Sequence, residues 1–162
     1  MSWESDFAEY FSVRAVSLRR VAYGLSGDWH LAEDLTQHTF LQLYRHWKRL
    51  DKSTLDAYSR KTLVNAFLSH KRSRKREQMM AEVPDQAVMA AQSAGLELRE
   101  ALDLLPPKQR ALVVLRHLED ISVAEAAELL GIAEGTVKSQ TARGLDKLRA
   151  ALRTPAFNGD QS

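Results

Sequence analysis

The stretch from Gly135 to Leu152, GTVKSQTARGLDKLRAAL, carries side chains suited to chemistry with a nucleic-acid duplex. Wound as a helix at about 100° per residue, it gathers Val137, Thr141, Leu145, Leu148 and Leu152 on one side. Ser139, Ala142, Arg143 and Asp146 fall roughly opposite, flanked by Lys138 and Gln140. The outward side chains are short, with one arginine among them. That combination fits a major groove, where bulk is limiting and a guanidinium can grip a guanine edge with two hydrogen bonds. Gly135 and Thr136 can bring backbone and hydroxyl close to a phosphate at the helix start. The plainer reading is an amphipathic helix with a solvated polar face. Asp146 is a discord, because it repels phosphate unless Arg143 or Arg149 neutralises it at helical spacing.

A second concentration lies at SHKRSRKRE, with Lys71, Arg72, Arg74, Lys75 and Arg76, preceded by Arg60 and Lys61. Asp56 is the one acid between Ser53 and Arg76. Cations suit a helix C-terminus, but this density exceeds what a helix dipole asks for and points to phosphate contacts. Asn65 sits between Val64 and Ala66, either as a satisfied core amide or as a partner for a base edge. Tyr58 is either structural or a stacking surface for an unpaired base.

Other chemistries find little support. The chain has no cysteine, which removes disulfides, thiolate metal sites and cysteine nucleophiles. His30, His38 and His46 are spaced so that they drift around a helix and form no i, i+4 ligand pair. No glycine-rich phosphate loop and no nucleophile motif appear, and we expect no metal and no cofactor.

These residues need helices to position them. The chain has 162 residues, 44% of them hydrophobic and 27% charged, with a formal net charge of +2. That is a globular composition, large enough for one ordinary domain or two small ones. Helical periodicity dominates, so the expected fold is all-α, with two small helical domains joined by a flexible linker. A first helix is predicted from Asp6 to Leu25. Asp28 is the expected N-cap of a second, from Trp29 to Leu50. A third is predicted from Leu55 to Arg76, with Tyr58, Thr62, Asn65 and Leu68 near one stripe. From Glu77 to Gly95 the basic charge and the periodicity fade. LELREALDLL then reads as a helix stopped by Pro106 and Pro107, and PPKQRALVVLRHLE begins another with proline in its first turn. SVAEAAELLG carries a capping-box pattern at Ser122 and Glu125 and a glycine stop at Gly131. With the final helix it makes a helix-turn-helix pattern. The expected boundaries are 1–77, a linker at 78–95, 96–154, and a polar tail at 155–162. The acidic N-terminus does not read as a secretory signal, and no apolar run is long enough to span a bilayer. The expectation is a cytoplasmic protein with no membrane insertion.

Taken in order, three segments resemble the extracytoplasmic-function sigma factors of bacterial RNA polymerase, with features of an actinobacterial SigE-like subgroup. AEDLTQHTFLQLYRHW resembles the family's region 2.2, and DAYSRKTLVNAFLSHKRSRKR resembles regions 2.3 and 2.4. LPPKQRALVVLRHLEDISVAEAAELLGIAEGTVKSQTARGLDKLRAAL resembles region 4. The resemblance implies a promoter-specificity subunit, with nucleotidyl transfer left to the polymerase core. It implies that Glu33, Asp34 and Gln37 dock on the clamp helices of the largest polymerase subunit, and that the second-largest subunit contributes its flap. It assigns Tyr58, Lys61, Asn65, Lys71, Arg72, Arg74, Lys75 and Arg76 to the melting -10 element. It assigns Thr136, Lys138, Ser139, Ala142 and Arg143 to the -35 duplex. An anti-sigma factor is a further partner that the family implies. His38 stands where the family usually has an acid, and Gln140 where it commonly has arginine, which removes a phosphate contact. The rival readings are a free-standing helix-turn-helix regulator that dimerises on operators, and a module that binds only protein.

Overall fold

The computed structural model describes residues 2–81 and 97–152. Their regular elements are all helical. The chain divides into two compact units, one built chiefly on residues up to His70 and the other on those that follow.

In the first unit, α1 (Trp3–Ser26) starts earlier than the apolar pattern predicts, because the Ser2 side chain accepts a hydrogen bond from the Ser5 amide and caps it. It ends at Gly27, whose φ of 72° suits a residue without Cβ and whose N–H donates to the Tyr23 carbonyl at 2.8 Å. The Asp28 carboxylate accepts from the His30 and Leu31 amides, so it is the N-cap of α2 (Trp29–His46), as its position predicts.

α2 stops short of the predicted Leu50. A 3-10 turn, Trp47–Arg49, takes over, and a second, Lys52–Thr54, leads into the next helix. The cause is local. Trp47 is only 2% exposed, with its ring packed against Phe7 and Tyr10 at centroid distances of 5.4 and 5.8 Å. Lys52 Nζ donates to the Trp47 carbonyl at 2.7 Å and sits 4.0 Å from the ring centroid. It thereby uses the acceptor that a continuing helix would need.

α3 (Leu55–Ala81) corrects the predicted stripe. Its buried side is Leu55, Ser59, Leu63, Val64, Phe67 and Leu68. Tyr58 and Thr62 are half-buried, and Asn65 is exposed. Beta-branched and aromatic residues outcompete an amide for the core, so the alternative of Asn65 as a core group falls. α3 also runs past Glu77 through Gln78, Met79 and Met80, which are good helix formers. The rest of the predicted linker and the predicted tail lie outside the described residues.

In the second unit, α4 (Leu98–Asp103) is shorter than predicted and ends in a turn before Pro106. Arg110 is 4% exposed and donates to the carbonyls of Asp103 and Leu105 at 3.1 Å each, satisfying acceptors at that helix end. Burial lowers its pKa, with Asp103 opposing the shift. α5 (Pro107–Val113) begins on proline as predicted, then widens into a π turn, Val114–Leu118. α6 (Val123–Leu130) is capped by Ser122, whose hydroxyl accepts from the Glu125 amide at 3.1 Å. Gly131 closes it with φ of 65°, and the Ile132 N–H reaches back to the Ala127 carbonyl at 3.1 Å, as in a Schellman end. α7 (Glu134–Leu152) follows. Ala101, Leu102, Leu105, Val113 and Leu148 form a core cluster of this unit, with Leu145 and Ala151 packed against it. Among the described residues, no helix is long and apolar enough to cross a membrane.

Candidate nucleic-acid and polymerase interfaces

α6, the Gly131 turn and α7 form the helix-turn-helix that the sequence predicts. α7 buries Val137, Thr141, Gly144 and Leu148, and the Thr141 hydroxyl is turned inward to donate to the Val137 carbonyl. The opposite face is open: Thr136, Lys138, Ser139, Ala142 and Arg143 are all exposed. Asp146 is neutralised by Arg149, at 3.3 Å, and not by Arg143. Arg143 is therefore left to act outward.

Gln140 behaves differently from its neighbours. It is half-buried, and its Oε1 accepts from Gln109 Nε2 at 2.9 Å. The sequence reading missed both Gln109 and Gly144. A Cβ at Gly144 would lie 2.9 Å from Val113 Cγ2 and 3.5 Å from Gln109 Cβ. Glycine there lets α7 approach α5 closely. The available signal was a glycine in the middle of a helix whose apolar stripe runs through it. Gly135 is the contrary case, since nothing lies within 4 Å of its would-be Cβ.

On α3, about 100° per residue places Tyr58, Lys61, Asn65, Arg72 and Arg76 within roughly 60° of one another, opposite the buried stripe. Asn65 lies near the middle of this line. Arg74 falls on the other side and is 3.9 Å from Glu77. Lys71 and Lys75 flank the line. The predicted set is thus one row of five with three cations outside it. The start of α3 is tied to α1. Asp56 receives a hydrogen bond from Tyr10 at 2.8 Å and an ion pair from Arg14 at 2.7 Å, and Tyr10 also meets Ser59 at 3.0 Å.

On α2, the members of the predicted docking trio differ in their surroundings. Glu33 is drawn to Arg19 at 3.0 Å, while Asp34 and Gln37 are exposed. The same stripe continues through Leu41 and Tyr44, which are 48% and 46% exposed. Tyr44 is held from beneath, packed on Trp3 and Phe7 at 5.1 and 5.3 Å. Leu41 and Tyr44 were legible as apolar residues lying off the buried stripe of Leu35, Phe40 and Leu43, although they were not singled out. Among the described residues, no group of three or more His, Cys, Asp or Glu is gathered as for a metal ion.

The helix-turn-helix and the exposed cationic row define a class, an all-α protein that meets nucleic acid. Comparison with known proteins defines the family. Residues 14–77 match the model of Sigma-70 region 2, and residues 95–148 match that of Sigma-70, region 4. The RNA polymerase sigma-E factor of Streptomyces antibioticus is 38% identical over 154 residues, covering 92% of this chain and 86% of that protein. The ECF RNA polymerase sigma factor SigE of Mycolicibacterium smegmatis is 36% identical over 172 residues, covering 99% of this chain and 65% of its own length. Among solved structures, the sigma factor RpoE of Bartonella quintana, in complex with the anti-sigma factor NepR, matches with a TM-score of 0.73 at 28% identity. That match covers 91% of this chain and 96% of the other. The chain belongs to the extracytoplasmic-function sigma factors of bacterial RNA polymerase, in the actinobacterial SigE-like group. It is a non-catalytic subunit that binds the polymerase core and promoter DNA.

Proposed function

We propose that the two units divide promoter recognition between them. α7 reads the -35 duplex through Thr136, Lys138, Ser139, Ala142 and Arg143. The outward line of α3 captures the melted -10 strand. The observation that carries this is Asn65. Its amide stands in the middle of an exposed row, with Lys61 and Arg72 along the same line and the hydrophobic core behind it. A neutral amide between cations suits a base edge held between phosphates, and Tyr58 supplies a half-buried ring for stacking.

Asp34 and Gln37, extended by Leu41 and Tyr44, form the face offered to the clamp helices of the largest polymerase subunit. The flap of the second-largest subunit is assigned to the second unit. Glu33 serves that face indirectly, through Arg19. With a first domain that ends in α3, a second at 96–154 and a tether that starts after Ala81 and not at 78, both units can engage one promoter, and each contact then raises the effective concentration of the other. An anti-sigma factor is a further partner, by likeness to the Bartonella protein bound to NepR. The cytoplasm is the compartment in which these partners meet.

Run-off transcription with core polymerase tests the division of labour. Templates scrambled at -10 or at -35 should each lose initiation. Asn65→Ala should blunt discrimination at -10 alone, and Arg143→Ala at -35 alone. A single variant that erases both preferences equally would refute the division. A dimeric operator-binding regulator would instead bind as a symmetric pair and need no polymerase. The match of both units to sigma regions 2 and 4 sets that reading aside.

A further inference from the structure

We propose that Lys52 is a positioning residue for opening of the -10 element, and that it acts by holding Tyr58 in place. The inference rests on the outward line of α3 receiving the melted strand. Tyr58 lies in the first turn of α3, just after the two short turns that join it to α2. An aromatic ring offered to an unpaired base gains from being fixed beforehand, because less conformational freedom is then lost on binding. Whatever fixes the first turn of α3 therefore bears on -10 opening.

Two sets of contacts hold that turn. Asp56 lies about 160° around the helix from Tyr58. Tyr10 and Arg14 of α1 hold it there, at 2.8 and 2.7 Å. The other tether is Lys52. Its Nζ donates to the Trp47 carbonyl at 2.7 Å and lies 4.0 Å from the indole centroid. Trp47 is 2% exposed and packed on Phe7 and Tyr10, so it is a fixed base. One side chain thus bridges Leu50 and Asp51 and joins the end of α2 to the turn that leads into α3. The Asp51 carboxylate firms the same turn, accepting from the Ser53 amide and hydroxyl at 3.0 and 2.8 Å.

The connection relies on such polar tethers. A cleft of about 390 Å³, with Tyr10, Arg14, Lys52, Ser53 and Asp56 in its lining, opens between it and α1. Apolar packing therefore does not close that side. Lys52 also differs from the cations of the α3 line. An exposed lysine beside a helix that meets nucleic acid is ordinarily a phosphate contact. Here the ammonium is turned onto the tryptophan, where the ring face and the carbonyl both attract it. Lys61, by contrast, stands exposed on the outward line. Lys52 thus acts on the strand through Tyr58 and not by its own charge.

The test uses the full chain with core polymerase and a promoter carrying a fluorescent base analogue in the -10 strand. Lys52→Met should lower the opening equilibrium about 3- to 10-fold, a part of the worth of a charged hydrogen bond, since Asp56 still holds the turn. Affinity for core polymerase should stay as in the wild type. So should the slope of log promoter affinity against log salt, because no phosphate contact is lost. Lys52→Arg keeps a cation for the ring and a donor for the carbonyl, and should restore opening. In a Tyr58→Ala background, Lys52→Met should add nothing. A slope changed by about one would make Lys52 a phosphate contact and overturn the proposal. Losses additive with Tyr58→Ala, an equal loss of core affinity, or wild-type opening by Lys52→Met would each do the same. If the wild type itself ignores scrambling of -10, the role of the α3 line and this inference fall together. If it responds and Lys52→Met changes nothing, only this inference falls.

Discussion

Tyr10 donates its hydroxyl hydrogen to the Asp56 carboxylate at 2.8 Å, joining α1 to the first turn of α3. Burial pushes the Tyr10 phenol up to about 12; the contact with Ser59 opposes the shift, and Asp56 adds to it. The folded protein therefore keeps this proton where the unfolded chain gives it up. When the folded state binds more protons, stability falls as pH rises. The window is from about 10, the ordinary phenol value, to about 12. Melting curves of wild type and Tyr10→Phe should converge in their pH dependence below 9 and diverge above 10, with the wild type losing more. Identical slopes throughout would show that the phenol is not held. At neutral pH Tyr10→Phe should also loosen the start of α3, leaving Asp56 with Arg14 alone. That ion pair is two-fifths exposed on each side and so contributes little.

Asp34→Lys should reduce affinity for core polymerase by at least about tenfold, since a like charge set into a complementary interface is strongly disfavoured. Glu33→Gln should cost less, because Glu33 already faces Arg19. Tyr44→Ala should fall nearer to Asp34→Lys, through loss of a packed aromatic anchor. Quantitative pull-downs with core subunits rank the three. Equal affinity for all of them would remove this face of α2 from the docking surface.

Arg143→Ala should cost about 1–3 kcal/mol against one -35 base pair and leave the others unaffected, if the guanidinium spans a guanine edge. The structure strengthens that expectation by pairing Asp146 with Arg149, so that Arg143 is not drawn back to its own helix. Binding to a library of -35 variants is the measurement. A uniform loss accompanied by a shallower salt slope would make Arg143 a phosphate contact only.

Much of this was readable before any coordinates. The all-α fold, the Asp28 and Ser122 caps, the Pro107 start and the Gly131 stop follow from short-range rules that depend on neighbours in sequence. The outward face of α7 followed from one strong period. The α3 face did not, because Tyr58, Thr62 and Asn65 share a helical stripe with Leu68, and periodicity does not say which side meets the core. Phe67 and Val64 decide that, since both are fully buried. The Glu33–Arg19 and Gln109–Gln140 pairs join different helices and leave no local trace. The π turn after Val113 was missed for a related reason. It is held by contacts of its ends, such as the Ile121 N–H to the Leu115 carbonyl at 2.9 Å, and not by any residue that marks it in sequence.

The two glycines of α7 predict opposite outcomes for one substitution. Gly135 has open space around its would-be Cβ, so Gly135→Ala should stabilise the fold by up to about 1 kcal/mol, the helix-propensity difference. It should still weaken -35 binding if the backbone there lies against a phosphate. Gly144→Ala gains the same propensity term but drives a methyl to 2.9 Å from Val113 Cγ2. Valine is stiff at χ1 and does not swing aside cheaply. Overpacking of this kind costs about 1–3 kcal/mol, which outweighs the gain. Chemical denaturation should therefore show Gly144→Ala destabilised, and Val113→Ala should be tolerated better in that background than in the wild type. If Gly144→Ala is as stable as Gly135→Ala, the close approach of α5 and α7 does not constrain the chain.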